Sequence, residues 1–115
     1  MQPRLKSGLW VKALIRRYDG QAIPVTVLRK GDADAGAILV KVNRRERGCV
    51  VLTRAQDPAG DLIWQRATGT EPVDEAAADT YIARQAGRDP DLWVIEIEPA
   101  AARSRSTAPR SSERG

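Results

Sequence analysis

The 115-residue chain contains no histidine and no phenylalanine, and Cys49 is its only cysteine. One cysteine cannot form an intramolecular disulfide, and without histidine there is no Cys/His zinc site and no catalytic triad that depends on an imidazole. Cys49 begins a short apolar run over residues 49–52, where a thiol is typical of a small buried residue. The composition therefore excludes most familiar catalytic centres, and it indicates neither a metal nor a cofactor.

Long apolar runs are also missing. No stretch approaches the roughly 18 to 20 apolar residues that span a bilayer. The N-terminal segment carries basic residues, but its apolar stretch leads into Arg16 and Arg17 rather than into the small residues of a signal-peptide cleavage site. We therefore expect a cytoplasmic protein that does not act at a membrane.

Charge is distributed unevenly along the chain. Residues 1–54 contain 12 Lys or Arg and four Asp or Glu, residues 55–99 contain three and ten, and residues 100–115 contain four and one. The last segment is rich in Arg, Ser and Ala and cannot bury enough surface to fold. These boundaries predict a single domain over residues 1–99 and a disordered Arg/Ser-rich tail over residues 100–115.

Periodicity predicts two helices and five strands. The first helix is expected over residues 7–18, with Ser7 as its cap and Gly20 at its end, and the second over residues 73–86, ended by Gly87. Strand-like runs occupy residues 23–29, 37–44, 49–55, 61–68 and 92–98. The order α-β-β-β-β-α-β predicts an α+β fold with a mainly antiparallel four- to five-stranded sheet, in which the first four strands form a meander.

Both faces of this predicted sheet contain apolar residues. One face carries Ile23, Val25, Val27, Ile38, Val40, Val42, Val50, Leu52, Leu62 and Trp64. The opposite face presents Leu28, Leu39, Val51 and Ile63 among polar side chains, which is more apolar than a sheet face in water needs. Either the second helix or a partner must cover these four residues, and they form the candidate protein interface.

The segment GDADAG, residues 31–36, is the most conspicuous local feature. It lacks the Gly-Lys-Ser/Thr ending of a phosphate-binding loop, because Gly36 is followed by Ala37 and Ile38. It also lacks the later ligands of an EF-hand. We interpret it as a hairpin loop in which aspartate side chains bond to the backbone and glycine supplies positive φ, with Asp32 and Asp34 as weak candidates for a hard cation.

Four further carboxylates, on Asp89, Asp91, Glu96 and Glu98, surround or belong to the last predicted strand. Glu96 and Glu98 share one strand face, an arrangement that suits acid–base work but also suits a solvated edge. Nothing in the sequence indicates a difference in pKa between these carboxyl groups, so none can be assigned as the acid or the base. An enzyme is therefore less expected than a binding protein.

Basic and aromatic residues suggest an alternative role with nucleic acid. Arg44, Arg45 and Arg47 cluster at a predicted hairpin tip, and Arg54 follows in the next strand. The tail adds Arg103, Arg105, Arg110 and Arg114. Such side chains neutralise phosphates, whereas the acidic half of the domain opposes a uniformly basic surface.

The three tryptophans are the largest side chains in the chain. Trp10 and Trp93 lie on apolar faces and are predicted to be core residues. Core packing is the favoured interpretation for Trp64 as well, but Gln65 and Arg66 follow it and indicate a less buried strand. The alternative is an exposed Trp64 that stacks on a nucleobase beside Arg66.

Three blocks of the sequence resemble a proteobacterial family, domain of unknown function 1491: RLKSGLWVKALIRR, GDADAGAILVKVN and ATGTEPVDEAAADTYIARQAGRDPDLWVIEIE. The resemblance spans about residues 4–98 and leaves the tail outside. It implies a domain boundary near Pro99, and it carries no activity, substrate or catalytic residue.

The sequence as a whole favours a small non-catalytic binding or adaptor domain that acts through a protein partner or by self-association. The alternative is an accessory RNA- or DNA-binding protein that uses the basic N-terminal half and the tail.

Overall fold

The computed structural model describes residues 6–56 and 58–99. They form α1 (Ser7–Asp19), β1 (Val25–Arg29), β2 (Ile38–Asn43), β3 (Cys49–Gln56), β4 (Leu62–Arg66), α2 (Glu75–Arg88) and β5 (Trp93–Ile97), with a 3-10 turn at Arg45–Arg47. This order confirms the predicted α+β fold. The predicted tail, residues 100–115, lies outside the described residues.

The five strands form one mixed sheet in the order β1-β5-β2-β3-β4. β5 lies between β1 and β2, antiparallel to β1 and parallel to β2, while β2–β3 and β3–β4 are antiparallel pairs. The predicted four-stranded meander is therefore wrong at its first connection. Turn residues indicate that neighbouring strands pair, but they do not reveal a strand that arrives from far along the chain.

Burial explains why β2 and β5 occupy the centre of the sheet. Nearly all residues of ILVKVN in β2 and of WVIEI in β5 are buried, whereas the three middle residues of β1 are exposed. A strand that is apolar on both faces is stable where helices cover both sides. Such runs are therefore typical of central strands and not of edges.

One face of the sheet packs against α1. Its buried cluster consists of Val11, Ile38, Val40, Trp93, Ile95 and Ile97. Ile38 and Val40 confirm the first predicted apolar face. Val27 and Trp64, which were expected on the same face, are 39% and 41% exposed, because they lie on the edge strands β1 and β4.

The other face packs against α2. Its buried cluster consists of Leu39, Cys49, Val51, Ala78, Leu92 and Val94. Leu39 is 4% exposed and Val51 is 0% exposed. The sequence left open whether the second helix or a partner covers these two residues. The structure shows that α2 covers them, so they belong to the core and not to a protein interface.

The helix boundaries differ from the prediction by one or two residues, and so do the roles of Ser7 and Gly87. Ser7 is the first residue of α1 rather than its cap, and its buried hydroxyl donates to the Gly36 carbonyl. Gly87 lies inside α2, which continues to Arg88. The N-terminus of α2 is capped by Asp74, whose carboxylate accepts the backbone N–H of Ala77 at 2.8 Å.

The loop over residues 31–36 joins β1 to β2 past the start of β5, so it is not a hairpin loop. The Asp32 carboxylate accepts the backbone N–H groups of Asp34 and Ala35 at 3.0 and 2.8 Å, as expected for an aspartate in a turn. The Asp32 carbonyl accepts the indole N–H of Trp93 at 2.8 Å. These bonds attach the loop to the core.

The two glycines of this loop are needed for space. Neither Gly31 nor Gly36 has a positive φ, contrary to the expectation from sequence. A Cβ atom at either position would instead overlap the backbone carbonyl oxygen of Asp91. The loop therefore approaches the backbone before β5 more closely than any other residue type allows.

Replacing Gly36 by alanine should destabilise the fold. A backbone carbonyl cannot move away as a flexible side chain does, so we expect Gly36→Ala to lose about 2 kcal/mol of unfolding free energy. Gly87→Ala is the matched control, because nothing lies within 4 Å of the added Cβ and alanine favours a helix by up to about 1 kcal/mol over glycine. Urea unfolding of both variants measures the difference, and equal stability of Gly36→Ala and wild type would contradict the packing argument.

Candidate functional site

A buried lysine lies in the middle of the central strand β2. The Lys41 side chain is 3% exposed, and its Nζ lies 2.7 Å from a Glu75 carboxylate oxygen, 2.8 Å from Asp79 and 3.4 Å from Glu96. Glu75 and Asp79 are four residues apart on α2, so they share one side of the helix. Glu96 is the β5 residue in register with Lys41. We call these four residues the lysine–carboxylate cluster.

Asn43 connects this cluster to the turn between β2 and β3. Its Nδ2 donates to Glu96 at 3.0 Å and to Glu75 at 3.3 Å, and its Oδ1 accepts the backbone N–H of Arg45 at 2.9 Å. The amide therefore holds two carboxylates of like charge side by side and shapes the turn that follows β2.

The environment keeps Lys41 protonated. Burial disfavours the charged amine and by itself lowers its pKa. The hydrogen bonds to Asp79 and Glu75 and the negative charges of Glu96 and Asp79 outweigh burial and raise the pKa of Lys41 above its ordinary 10.5. An ammonium group has no lone pair with which to attack a carbonyl or accept a proton. The cluster therefore joins α2 to the sheet and does not provide an amine nucleophile.

Cys49 is buried beside the same cluster. Burial raises the pKa of its thiol, and the nearby Lys41 charge offsets this only in part. A buried, protonated thiol is a poor nucleophile. The prediction that Cys49 is a buried residue is confirmed.

Carboxylates singled out in the sequence have other partners. Asp32 bonds to the loop backbone, Asp89 accepts the Asp91 N–H at 3.0 Å, and Glu98 pairs with Arg45 at 3.0 Å. Within residues 6–56 and 58–99, no group of three or more Cys, Asp or Glu side chains is arranged to hold a metal ion. Neither helix of the described part has the length and apolar character needed to cross a bilayer.

The four predicted nucleic-acid arginines do not form one surface. Arg44, Arg45 and Arg47 are exposed at the turn between β2 and β3, where Arg45 is ion-paired. Arg54 lies farther along β3, on the face that α1 covers, with its guanidinium carbon 5.5 Å from the centre of the Trp10 ring. The turn and Arg54 are therefore separate regions of positive charge.

The four predicted interface residues are also separated. Leu28 is 48% exposed on the edge strand β1, and Ile63 is half-buried on β4 at the opposite edge. Leu39 and Val51 lie between them beneath α2. Leu28 and Ile63 remain predicted contacts, but they cannot belong to one continuous patch.

Two features were not predicted from the sequence. The lysine–carboxylate cluster had one signal, a single lysine within the apolar run ILVKVN, which indicates a buried charge that needs a partner. The contact between Trp10 and Trp64, whose ring centroids are 5.4 Å apart, had none, because the residues lie on different elements.

Comparisons with known proteins identify relatives of similar length. A family model described as "Protein of unknown function (DUF1491)" matches residues 5–106. A crystal structure of a DUF1491 family protein from Caulobacter crescentus CB15 shares 42% identity at a TM-score of 0.76, covering 84% of this chain and 90% of that chain. An NMR structure of a DUF1491 family protein from the same organism shares 41% identity at a TM-score of 0.70, covering 84% and 86%. The solution structure of a protein from A. tumefaciens shares 29% identity at a TM-score of 0.69, with the same coverage. The comparison with curated proteins finds no match.

Removal of the Lys41 charge should destabilise the fold. Lys41→Met leaves three carboxylates without their central cation, and Glu96 is only 14% exposed. We expect a loss of about 3 kcal/mol in unfolding free energy, as for other buried ion pairs that lose one partner. Lys12→Met, at an exposed position of α1, is the matched control and should change stability by less than about 0.5 kcal/mol. A Lys41→Met protein as stable as this control would contradict a structural role.

The advantage of wild type over Lys41→Met should also depend on pH. The folded protein holds the Lys41 proton more tightly than the unfolded chain, whose ordinary pKa is 10.5. This contribution to stability is fully present below pH 10.5 and decreases as the pH rises above that value. Urea unfolding of both proteins from neutral pH to above 10.5 measures it, and a difference that grows in the alkaline range would contradict the sign.

Proposed function

The chain belongs to the DUF1491 family, and we propose that it is a non-catalytic binding domain whose β1 edge pairs with a strand of a protein partner or of a second copy of the chain. One observation carries the proposal: Val27 and Leu28, adjacent on this edge strand, are 39% and 48% exposed.

The backbone of β1 is available for such pairing. β5 is its strand neighbour in the described sheet, and β1 forms one of the two edges. The Pro24 carbonyl accepts the Glu98 N–H at 3.1 Å, and hydrogen-bonded and non-bonded pairs alternate along an antiparallel ladder. Pro24 and Glu98 therefore form a hydrogen-bonded pair. In the register of β1 and β5, Val25 and Val27 then occupy non-bonded positions, so their N–H and C=O groups point away from β5.

The edge also lacks charged side chains that usually block pairing. Charged residues on an edge strand discourage contact with another chain, but the first four residues of β1, VTVL, carry no charge. Arg29 comes next, and its guanidinium is held back on the Pro90 and Leu92 carbonyls at 3.1 and 2.6 Å. The irregularity between Val27 and Arg29 limits the regular part of the edge to a few residues. A short added strand fits this edge better than a long one.

The chemistry of the interior supports binding over catalysis. Lys41 and Cys49, the groups with the greatest potential as nucleophiles, are both buried and protonated. Edge-strand addition requires neither group, because main-chain hydrogen bonds supply affinity and apolar side chains supply specificity.

A lysine on the β1 edge should weaken the association. We expect Leu28→Lys to weaken self-association or partner capture at least about tenfold, because pairing would bury its charge. Leu9→Lys is the matched control: Leu9 is 54% exposed, but it lies on α1. Sedimentation velocity over a range of concentrations measures self-association, and affinity capture from source-cell lysate measures a partner.

Two results would contradict the proposal. The first is a wild-type protein that is strictly monomeric and captures no protein. The second is association that Leu28→Lys and Leu9→Lys affect equally.

A further inference from the structure

A second exposed surface lies away from the β1 edge, on the face of the sheet that α1 covers. Trp64 on β4 packs against Trp10 of α1 with a ring-centroid distance of 5.4 Å and an interplanar angle of 44°. Arg54, opposite Trp64 in the β3–β4 register, places its guanidinium carbon 5.5 Å from the centre of the Trp10 ring. This distance is typical of a cation–π contact.

Trp64 is far more exposed than a core tryptophan, because it lies on the edge strand β4. Trp93, the core tryptophan, is 6% exposed, whereas Trp64 is 41% exposed. Trp10 is half-buried and packs against the buried cluster between α1 and the sheet, so it supports the Trp64 ring from the protein side. Trp64 therefore presents a fixed aromatic surface to solvent.

Two exposed arginines belong to the same elements as these rings. Arg66 lies two residues beyond Trp64, on the same face of β4, and uses one guanidinium nitrogen to donate to the Thr70 carbonyl at 2.6 Å. Arg17 is exposed seven residues after Trp10, which places both residues on the same side of α1. We call these five residues, Trp10, Arg17, Arg54, Trp64 and Arg66, the basic–aromatic surface.

The opposite face of the sheet carries negative charge. Glu75, Asp79 and Glu96 surround the single ammonium of Lys41 there. These three carboxylates outnumber the one ammonium, so the lysine–carboxylate cluster itself does not attract a polyanion.

We propose that the basic–aromatic surface binds single-stranded nucleic acid, with one or two unpaired bases stacked on Trp64 and the flanking phosphates paired with the exposed Arg17 and Arg66. Stacking on an aromatic ring requires a base that is not enclosed in a duplex. The combination of an exposed ring and several arginines on one sheet face matches this ligand in both shape and charge. This site is independent of the β1 edge, because β1 and β4 form opposite edges of the sheet.

The proposed site differs from the one expected from sequence. The turn with Arg44, Arg45 and Arg47 has no aromatic residue, and Arg45 is partly neutralised by Glu98. Among the four arginines first considered, Arg54 is the one beside the tryptophans. The turn should therefore contribute little to binding.

Fluorescence anisotropy with the full chain tests the proposal. The probes are a fluorescein-labelled 12-nucleotide oligouridylate, the matching oligothymidylate and a 12-base-pair duplex, each at about 50 and 200 mM salt. We expect both single strands to bind more tightly than the duplex, and binding to weaken with salt. A preference for oligouridylate would assign RNA, and equal affinity would assign single strands of either kind.

Variants of the basic–aromatic surface should separate the contribution of base stacking to affinity from the contribution of charge. Trp64→Ala should weaken binding about tenfold, and Trp64→Phe should retain most of the affinity, because each stacked base contributes to binding through the ring. Arg66→Gln and Arg17→Gln should each lower the salt slope by about 0.7, the value for one phosphate contact on a single strand. Arg44→Gln and Leu9→Ala are controls that should leave affinity unchanged.

The tail arginines require a separate control. Replacement of Arg103, Arg105, Arg110 and Arg114 by glutamine in the full chain should leave the effect of Trp64→Ala intact. The proposal is overturned if wild type binds neither single strand at 50 mM salt, if affinity does not depend on salt, or if the duplex binds equally well. It is also overturned if Trp64→Ala has no effect, or if Trp64 is needed only for capture of a protein.

Discussion

The ammonium group of Lys41 joins three segments that are far apart in the chain. It lies on β2, and its partners come from α2 and β5, at distances of 2.7 to 3.4 Å. A buried charge without these partners would cost several kcal/mol, so the cluster and the position of α2 depend on each other. Because α2 is held there, Leu39 and Val51 become core residues, and the second apolar face of the sheet is closed.

This arrangement limits where function can reside. The interior groups with potential chemistry, Lys41 and Cys49, are held in protonated forms by their surroundings. The exposed features lie elsewhere, at the β1 edge with Val27 and Leu28 and on the basic–aromatic surface around Trp64. We propose that both are surfaces for contact with another molecule. The proposed functions therefore concern binding, through a protein strand at one surface and through single-stranded nucleic acid at the other.

Local patterns predicted the elements and the α+β fold, because apolar periodicity and turn residues act over a few positions. They also predicted that Leu39 and Val51 need a cover, with α2 as one of two choices. The insertion of β5 between β1 and β2 was missed, because turn residues indicate only the pairing of strands that follow each other in the sequence. The near-continuous apolar character of β2 and β5 was a usable signal for central strands. The contact between Trp10 and Trp64 depends on the tertiary fold, so neither residue's neighbours revealed it.

Lys41 acts as a permanent cation within the fold. Heteronuclear NMR of the Lys41 side chain, followed from neutral pH to above pH 10.5, tests it directly. We expect Lys41 to keep its proton beyond pH 10.5 while the protein remains folded. Loss of the proton below that pH in the folded protein would contradict this role, because burial would then outweigh the three carboxylates and leave a neutral amine available for chemistry.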